Sequence, residues 1–552
     1  MGDEAKMQKR KTMWTIRLTI LVVLLWAGPG WAATVYVKNI AGTVYFQSGA
    51  TSCDDITAAD TAGDVEAAVD AAGSGGYCYV CEGSYSDTNL DSDGYLTIST
   101  MTNLIGLGTV TFSAGQVGSY AARVNGTGDG SYIYNIDVEV QDLVATNWGI
   151  LADSNAPNVI ISTCDITCVA SPSVGSEWIG ISVNSTPVTV TGCDVSKVRN
   201  GIVVYGGAVV ATITNNIVHE LDAGTDSASD GIVFSGALVD HAGSVVSGNE
   251  IYKYKDDGID LIGASNVVVE DNHIWGVNLN CTGGCDGNGI KGGTGTSTGN
   301  IIRRNTIHDI TNRGIISNDC DAIEISTNLI YGAVSLAGIL VGSGTVDATV
   351  IQNTVVITGG TEALKVAASG TLIVQNNILS SPTTDYDNNN ETVTGGYNCL
   401  VNDADVTNKT NYTNTGTSDL YATNPLFVSA TDFHLKKKSP CRNAGLFDAG
   451  NPYSAITYDS DGRQLTLASG VNKYRNEKPI GAFMYWGNDG VSPLRGIWGN
   501  VLNFFRITPM EIESSNRPQN SLTACGAGYA SLTGADGNQI LDSVGGAICC
   551  PN

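Results

Sequence analysis

Four aspartates and one lysine near the middle of the chain are the residues best suited to chemistry. Asp230 is followed by Asp256, Asp257 and Asp260, and then by Lys291. Carboxylates that lie close together repel one another and raise each other's pKa unless a cation neutralises them. Hard oxygen ligands of this kind suit Ca2+, which binds about six to eight of them in flexible geometry. We therefore expect the four aspartates to bind calcium.

Lys291 is the candidate general base beside that site. A nearby divalent cation and partial burial both disfavour an ammonium ion, so we expect the pKa of Lys291 to be lowered. A cation that binds a uronate carboxylate and a base that removes the C5 proton together meet the needs of β-elimination on a polyuronate. Arg313 is the candidate partner of a substrate carboxylate, and Asn288 and Lys365 are candidate substrate-binding residues.

A repeated Gly-Ile phrase predicts the scaffold that positions these residues. It recurs at intervals of 21 to 31 residues, with a second β-rich phrase between copies, as one coil of a parallel β-helix requires. Aligned copies stack at about 4.8 Å, and strand alternation turns the residue after Gly-Ile outward. The alignment places Asp260 and Lys291 in one column, and Asp230, Asp257, Asn288 and Arg313 in another. The copies begin at Gly149, Gly180, Gly201, Gly231, Gly258, Gly289, Gly314, Gly338 and the variant Ala363.

A recurring asparagine in the second phrase is expected to be architectural. Asparagine tolerates left-handed turns and can hydrogen-bond to its copy in the next coil. The histidines of these phrases are expected on another side of the coil from the aspartates. The asparagines are Asn216, Asn249, Asn272, Asn305, Asn328, Asn353 and Asn377.

Composition and the two ends of the chain predict an exported, all-β protein. Residues 1–32 have the pattern of a secretory signal peptide, with basic residues, an apolar run and small residues before the expected cleavage point. The 14 cysteines fit an oxidising compartment, with Cys399 and Cys441 a candidate disulfide. We expect a secreted, periplasmic or cell-surface protein that is a monomer and has no membrane span once the signal is removed.

The net charge limits the partners. The chain carries a formal charge of −26, and removal of the signal's net +3 leaves −29. No basic stripe could neutralise phosphates, so nucleic acid is excluded as a partner. An acidic polysaccharide would be repelled unless a cation bridged it to the protein.

The predicted organisation is a single long solenoid with a cap at each end. It comprises an N-terminal cap with a short helix and first coils (33–110), a regular parallel β-helix (111–381), irregular coils with a C-terminal capping segment (382–486), and a cysteine-containing tail of unknown role (487–552). Caps are expected because an open solenoid end exposes apolar core and unpaired strand edges.

The stretches "DDGID" and "CDGNGIKGGTGTSTGNIIRRNTIHDITNRGI" resemble the family 9 polysaccharide lyases, over roughly residues 225–320. That resemblance implies a right-handed parallel β-helix and calcium-dependent cleavage of pectate-like polyuronates. It implies metal binding by Asp230, Asp256, Asp257 and Asp260, and a catalytic role for Lys291 in the phrase "GIKGG".

Three other functions remain open at the level of sequence. A non-catalytic surface or carbohydrate-binding protein would use the aspartates for a structural calcium ion. A glycoside hydrolase would need two carboxylates at a defined separation and no essential lysine. An alginate epimerase or lyase could use the same fold and metal.

Overall fold

The computed structural model describes residues 33–482 with gaps, and two short strands near the C-terminus. The gaps are 92–93, 115–119, 129, 141–146, 170–177, 185–186, 208, 222–228, 237–238, 278–285, 295–296, 343, 346, 390, 404–405, 409–410, 415–418, 443 and 446–479. The predicted signal peptide (1–32) lies outside the described residues, as do Cys281, Cys285 and most of the predicted tail. The chain divides into two compact units, Met1–Trp486 and Gly487–Asn552.

The first unit is a parallel β-helix, as predicted. Successive coils stack their strands in two large sheets, one of 12 strands and one of 28. In the 12-stranded sheet, here the single-row sheet, each coil adds one strand. Its strands are Leu96–Thr100, Tyr120–Thr127, Asn147–Ala152, Trp178–Val183, Asn200–Tyr205, Ile232–Ser235, Asp257–Ile262, Asn288–Thr294, Ile315–Ser317, Ala337–Val341, Glu362–Val366 and Thr384–Asp387.

The 28-stranded sheet, here the double-row sheet, receives two short strands from each regular coil. The first row is Tyr132–Tyr134, Val159–Ser162, Val188–Thr191, Ala211–Thr214, Val245–Ser247, Val268–Glu270, Ile301–Arg303, Ile323–Ser326, Ala348–Ile351, Leu372–Gln375, Val393–Gly396 and Tyr412–Asn414. The second row is Asp137–Val140, Asp165–Cys168, Asp194–Ser196, Ile217–His219, Glu250–Tyr252, His273–Trp275, Thr306–His308, Leu329–Gly332, Thr354–Ile357, Ile378–Ser380 and Cys399–Leu400.

The remaining elements close the solenoid at its start or link neighbouring coils. At the start, the double-row sheet also contains Thr34–Ile40, Thr43–Ser48, Thr61–Gly63, Gly76–Ser86 and Thr102–Ala114. The helices are the 3-10 turn Cys53–Asp55 and the α-helices Val65–Ala72 and Asp87–Leu90. Small two-stranded sheets pair Val239–Asp240 with Ala264–Ser265, Ser297–Thr298 with Cys320–Asp321, and, in the second unit, Tyr529–Ser531 with Cys549–Pro551.

The glycine of the repeated phrase is required because neighbouring coils approach closely there. A Cβ atom at Gly258 would lie 2.6 Å from the carbonyl oxygen of Gly289 and 2.6 Å from a methyl carbon of Ile274. Only glycine fits such contacts. The following isoleucine points into the core, and both Ile259 and Ile290 are fully buried. Because side chains alternate along a strand, the inward isoleucine fixes which residues of the single-row sheet face outward.

The predicted asparagine ladder is confirmed. Each asparagine accepts hydrogen bonds at Oδ1 from the backbone N–H and the side-chain amide of its counterpart one coil earlier, at 2.9–3.0 Å from Asn216 as far as Asn398. The ladder ends at Asp419, whose Oδ1 accepts from the Asn398 backbone at 2.8 Å. Buried amides are thereby satisfied along the solenoid.

The Asn305→Ala variant should be destabilised by about 3 kcal/mol, because buried polar groups left without partners each cost about 1–3 kcal/mol. Asn305 is fully buried. Its loss would leave the Asn272 backbone N–H, which donates to Asn305 at 3.0 Å, without an acceptor. The midpoint of urea unfolding measures the effect. Thr349→Ala, at a half-buried outward position, is the matched control and should change stability by less than about 0.5 kcal/mol. Equal midpoints for the two variants would contradict the prediction.

The N-terminal helix covers the start of the solenoid, as predicted. Asp64 caps the helix Val65–Ala72 by accepting a hydrogen bond from the Ala67 N–H at 2.7 Å, and Gly73 ends it with a positive φ of 67°. At the other end, Ile480 lies in an apolar cluster with Cys399, Leu435 and Cys441. Among the described residues, none of the helices has both the length and the apolar character needed to cross a bilayer.

The described cysteines are largely buried in the core. Cys53 and Cys81 form a disulfide. The sulfurs of Cys399 and Cys441 lie 2.8 Å apart, so the predicted pair is brought together. Cys320 is buried and forms no disulfide with any described cysteine.

Candidate functional site

The candidate site lies on the outward face of the single-row sheet, on three consecutive coils. Asp257 and Asp260 belong to the strand Asp257–Ile262, and Asn288 and Lys291 to the next strand, Asn288–Thr294. Asp257 pairs in register with Asn288, and Asp260 with Lys291. Asp230 precedes the strand Ile232–Ser235 of the coil before. The two columns expected from the aligned repeats are therefore those of the structure.

Three of the four predicted metal ligands converge. Asp230, Asp257 and Asp260 each direct a carboxylate oxygen so that these atoms lie within 4.8 Å of one another. Asp230 is 9% exposed, Asp257 0% and Asp260 1%. The backbone supports the cluster, since the Asp257 N–H donates to Asp230 Oδ1 at 2.9 Å. We call Asp230, Asp257 and Asp260 the carboxylate cluster.

The amine of Lys291 neutralises part of this charge. Its Nζ lies 3.2 Å from Asp257 Oδ2 and 3.2 Å from Asp260 Oδ2, with the lysine side chain 18% exposed. Two ion pairs on one ammonium fix its position, because both carboxylates are shielded from water. The predicted base therefore faces the predicted metal ligands directly.

Burial makes the carboxylates of the cluster weak acids. Burial, and after it the charge of Asp257, raises the pKa of Asp260 to about 9 and that of Asp230 to about 8. The pKa of Asp257 is also raised by burial, although Lys291 and the Asn288 amide oppose the shift. The ionised forms of three neighbouring acids are therefore all disfavoured. This indicates a site suited to an additional positive charge.

With no cation bound, the pKa of Lys291 is raised, whereas the expected lowering assumed a bound cation and stays a prediction. Burial does favour the neutral amine, but the attraction of Asp257 and Asp260 outweighs it and raises the pKa of Lys291. The sequence alignment placed Asp260 in the column of Lys291 and Asp257 in the neighbouring column, without revealing that both carboxylates contact the amine. Lys291 is therefore an ammonium ion at neutral pH when the carboxylates have no other cation.

The donor set fits a hard divalent cation. Asp260 Oδ1 and Asn288 Oδ1 are both buried and have no hydrogen-bond partner among the described residues. An acceptor atom that is shielded from water and unpartnered costs free energy, which binding of a cation would recover. All the converging atoms are oxygens, which Ca2+ prefers, whereas zinc and copper favour nitrogen or sulfur.

Asp256 does not belong to the converging group of three. It is half-buried, and it accepts a short hydrogen bond from the Asp286 N–H. Burial, followed by the charge of Asp257, raises the pKa of Asp256 to about 6. The predicted set of four ligands is thus three converging carboxylates with Asp256 at their side.

Asn288 is not exposed to solvent. It is fully buried, and its Nδ2 donates to Asp257 Oδ1 at 2.8 Å. Its Oδ1 has no hydrogen-bond partner among the described residues, and the substrate-binding role expected of Asn288 stays a prediction. The adjacent Asn200 was missed as part of the site, although the aligned column contains it. Its Oδ1 accepts a hydrogen bond from the Asp230 N–H at 3.2 Å.

The two other predicted basic residues differ in their surroundings. Arg313 lies one coil beyond Asn288, where its carbonyl accepts from the Gly289 N–H at 2.9 Å, and its half-buried side chain has no ion-pair partner among the described residues. Lys365 lies three coils from Lys291 along the same column, about 14 Å away. Glu362 and Asp387 approach its amine at 3.0 and 3.5 Å, so Lys365 is outside the cluster and already paired.

Comparison with known proteins identifies the fold. A family model described as "Right handed beta helix region" matches residues 179–355. Residues 179–355 include the whole carboxylate cluster and Lys291. No curated protein matches the chain by sequence.

Several solved structures share the architecture at low identity. Pectate lyase Pel9A is 17% identical with a TM-score of 0.42, over 76% of this chain and 90% of that one. The A-module of mannuronan C-5 epimerase AlgE6 from Azotobacter vinelandii is 15% identical with a TM-score of 0.42, over 64% and 95%. DFA-IIIase from Arthrobacter chlorophenolicus A6 is 11% identical with a TM-score of 0.39, over 62% and 89%. These similarities concern the fold, and the functional argument rests on the site.

Proposed function

We propose that the protein is a secreted, calcium-dependent polysaccharide lyase that cleaves an acidic, pectate-like polyuronate by β-elimination. The observation that carries the proposal is the convergence of the carboxylate cluster and the Lys291 amine on one outward face. A metal site and a base in direct contact are the two requirements of this reaction. The motif resemblance over residues 225–320 supports the same activity.

Asp230, Asp257 and Asp260 would hold the calcium ion, with the unpartnered Oδ1 of Asn288 beside them. A calcium ion held by these carboxylates would neutralise a uronate carboxylate and so make the C5 proton more acidic. Asn288 acts as a positioning residue, because its amide fixes the Asp257 carboxylate. Asp256, beside the cluster, adds negative charge that favours a divalent cation.

Lys291 acts as the base once it has lost its own proton. The amine takes the C5 proton, the C5–H electron pair forms the C4–C5 double bond, and the C4–O bond breaks. The leaving oxygen keeps the electron pair of the C4–O bond and is protonated by water. The attraction that holds the proton on Lys291 comes from Asp257 and Asp260, so any cation bound by these carboxylates weakens it.

Arg313 is proposed to bind a second substrate carboxylate. It lies one coil beyond the strand that contains Lys291, and its guanidinium forms no ion pair within the described residues. It can therefore make a bidentate contact with a carboxylate. Cleavage of the signal leaves a strongly acidic protein. Calcium and Arg313 would therefore offset the repulsion of a polyanionic substrate.

The test is incubation of the purified protein with polygalacturonate, alginate and neutral glycans, with either Ca2+ or a chelator. Ultraviolet absorbance follows the unsaturated product, and a reducing-sugar assay follows chain cleavage. Calcium-dependent absorbance supports the proposal. Reducing sugar without absorbance would indicate a hydrolase, and exchange of the C5 hydrogen with solvent without cleavage would indicate an epimerase. Binding with no reaction would favour a non-catalytic protein.

Calcium affinity should increase with pH. The pKa values of Asp260, Asp230 and Asp256 are raised to about 9, about 8 and about 6, so Ca2+ must displace protons that these carboxyls hold at neutral pH. Isothermal titration at about pH 6 and about pH 9, the limits of those values, should show tighter binding at the higher pH. Titration in buffers of different ionisation enthalpy should show proton release. Equal affinities at both pH values would contradict this expectation.

A further inference from the structure

We propose that His273 and His308 form a second metal site on the outward face of the double-row sheet. The site would bind a divalent cation that prefers tetragonal coordination, such as Cu2+. The two residues lie on adjacent strands of the second row, His273–Trp275 and Thr306–His308. Their Nε2 atoms are 2.9 Å apart. Both belong to a different sheet from the carboxylate cluster, so the proposal stands independently of the lyase activity.

The separation of the two nitrogens selects the kind of cation. Metal–imidazole bonds are about 2.0–2.1 Å long. Two such bonds to nitrogens 2.9 Å apart meet at an angle of about 90°. A tetrahedral site would need the nitrogens about 3.3 Å apart. Right-angled nitrogen ligands are typical of Cu2+ and Ni2+, and Cu2+ binds the more tightly of the two.

His308 is held in an orientation that suits a ligand. Asp309 Oδ2 lies 3.0 Å from its Nδ1, and a carboxylate there favours the tautomer that leaves the Nε2 lone pair facing His273. The ring stacks between Tyr331, at a centroid distance of 4.7 Å, and Trp275, at 6.0 Å. The orientation of this ring is therefore set before any cation binds.

A carboxylate lies on the coil next to His273 and can complete the coordination. Glu250 is the register partner of His273 on the preceding coil, and it is half-buried. Among the described residues it is not part of a converging group of three metal-binding side chains. A rotation of the Glu250 side chain, or water, would supply the remaining ligand. Nitrogen and oxygen donors together again suit Cu2+.

The alternative is a simple hydrogen bond between two histidines of an aromatic stack. His219 provides an internal control for it. This residue is in the same outward column, stacks on Tyr252 at 4.9 Å and pairs with Asp194 at 2.9 Å. It has the stacking and the carboxylate of His308 but no second imidazole in contact. Only the paired histidines should therefore bind the cation tightly.

Trp275 supplies a local readout. Its ring centroid is 4.1 Å from that of His273, and Cu2+ quenches tryptophan fluorescence at short range. The full chain is titrated with CuCl2 in excess Ca2+, which occupies the carboxylate cluster. We expect quenching that saturates at one equivalent in the wild type and in His219→Gln. The His273→Gln and His308→Gln variants should shift the quenching midpoint by at least about tenfold.

Electron paramagnetic resonance of the wild type with one equivalent of Cu2+ provides a measurement that needs no variant. Hyperfine coupling to two imidazole nitrogens is expected. A spectrum without nitrogen hyperfine coupling, or a quenching midpoint in His308→Gln equal to that of the wild type, would overturn the proposal. Loss of quenching in His219→Gln as large as in His308→Gln would overturn it as well.

Discussion

The Lys291→Ala variant is expected to lose about a thousandfold in kcat for formation of the unsaturated product, because a positioned general base contributes about 10²–10⁴-fold. No other amine among the described residues contacts the carboxylate cluster. Lys365, the next lysine in the column, is three coils away and is paired with Glu362 and Asp387. Ultraviolet absorbance with polygalacturonate and saturating Ca2+ measures the loss.

Calcium binding separates loss of the base from loss of the fold. Removing Lys291 deletes a positive charge 3.2 Å from both Asp257 and Asp260, and no longer forces Ca2+ to compete with an ammonium ion. Lys291→Ala should therefore bind Ca2+ at least as tightly as the wild type by isothermal titration. A merely structural lysine would give weaker binding when removed.

A charge-preserving variant identifies the chemical role. Lys291→Arg keeps the positive charge, but a guanidinium does not give up its proton at accessible pH. It should be as inactive as Lys291→Ala. Lys437→Ala, at an exposed lysine of the C-terminal segment, controls for loss of a lysine and should retain full activity. Substantial elimination by Lys291→Arg would contradict the role of general base.

The regular part of the fold could be predicted because each coil repeats the same physical problem. Gly258 must be glycine where coils approach, Ile259 must fill the core, and Asn272 must satisfy buried amides. These demands leave a residue pattern that recurs in most of the regular coils. Residues 278–285, between the two strands of the site, follow no such repeat, so the sequence pattern makes no structural prediction for them.

The columns of the site were predictable, but the contacts within them were not. Strand alternation and register place Asp260 beside Lys291, which the aligned glycines already indicate. Side-chain conformation then decides that Asp257 joins the cluster while Asp256 binds the Asp286 backbone. It also decides that Asn288 is buried, and that two carboxylates raise the pKa of Lys291. The His273–His308 contact is diagonal between coils, and an alignment of single columns does not reveal it.

The Asp260→Asn variant should bind Ca2+ at least about a hundredfold more weakly, because it loses a charged ligand of the cluster. Without calcium, the same variant should be more stable than the wild type. Burial and the charge of Asp257 raise the pKa of Asp260 from an ordinary 3.8 to about 9. A carboxyl with a raised pKa binds its proton more tightly in the folded state, so stability falls as pH rises across that interval. The neutral amide removes this loss.

The two effects have opposite signs, which makes the variant decisive. Thermal unfolding at about pH 8 to 9, just below the raised pKa of Asp260, should give Asp260→Asn the higher Tm with chelator. With excess Ca2+ the wild type should have the higher Tm, because only it gains the full stabilisation of a bound ligand. Asp54→Asn, at an exposed carboxylate, controls for the lost charge and should follow the wild type in both conditions. A lower Tm for Asp260→Asn with chelator would mean that the Asp260–Lys291 ion pair outweighs the burial of charge, and that the cluster is a structural ion-pair network with no need of a cation.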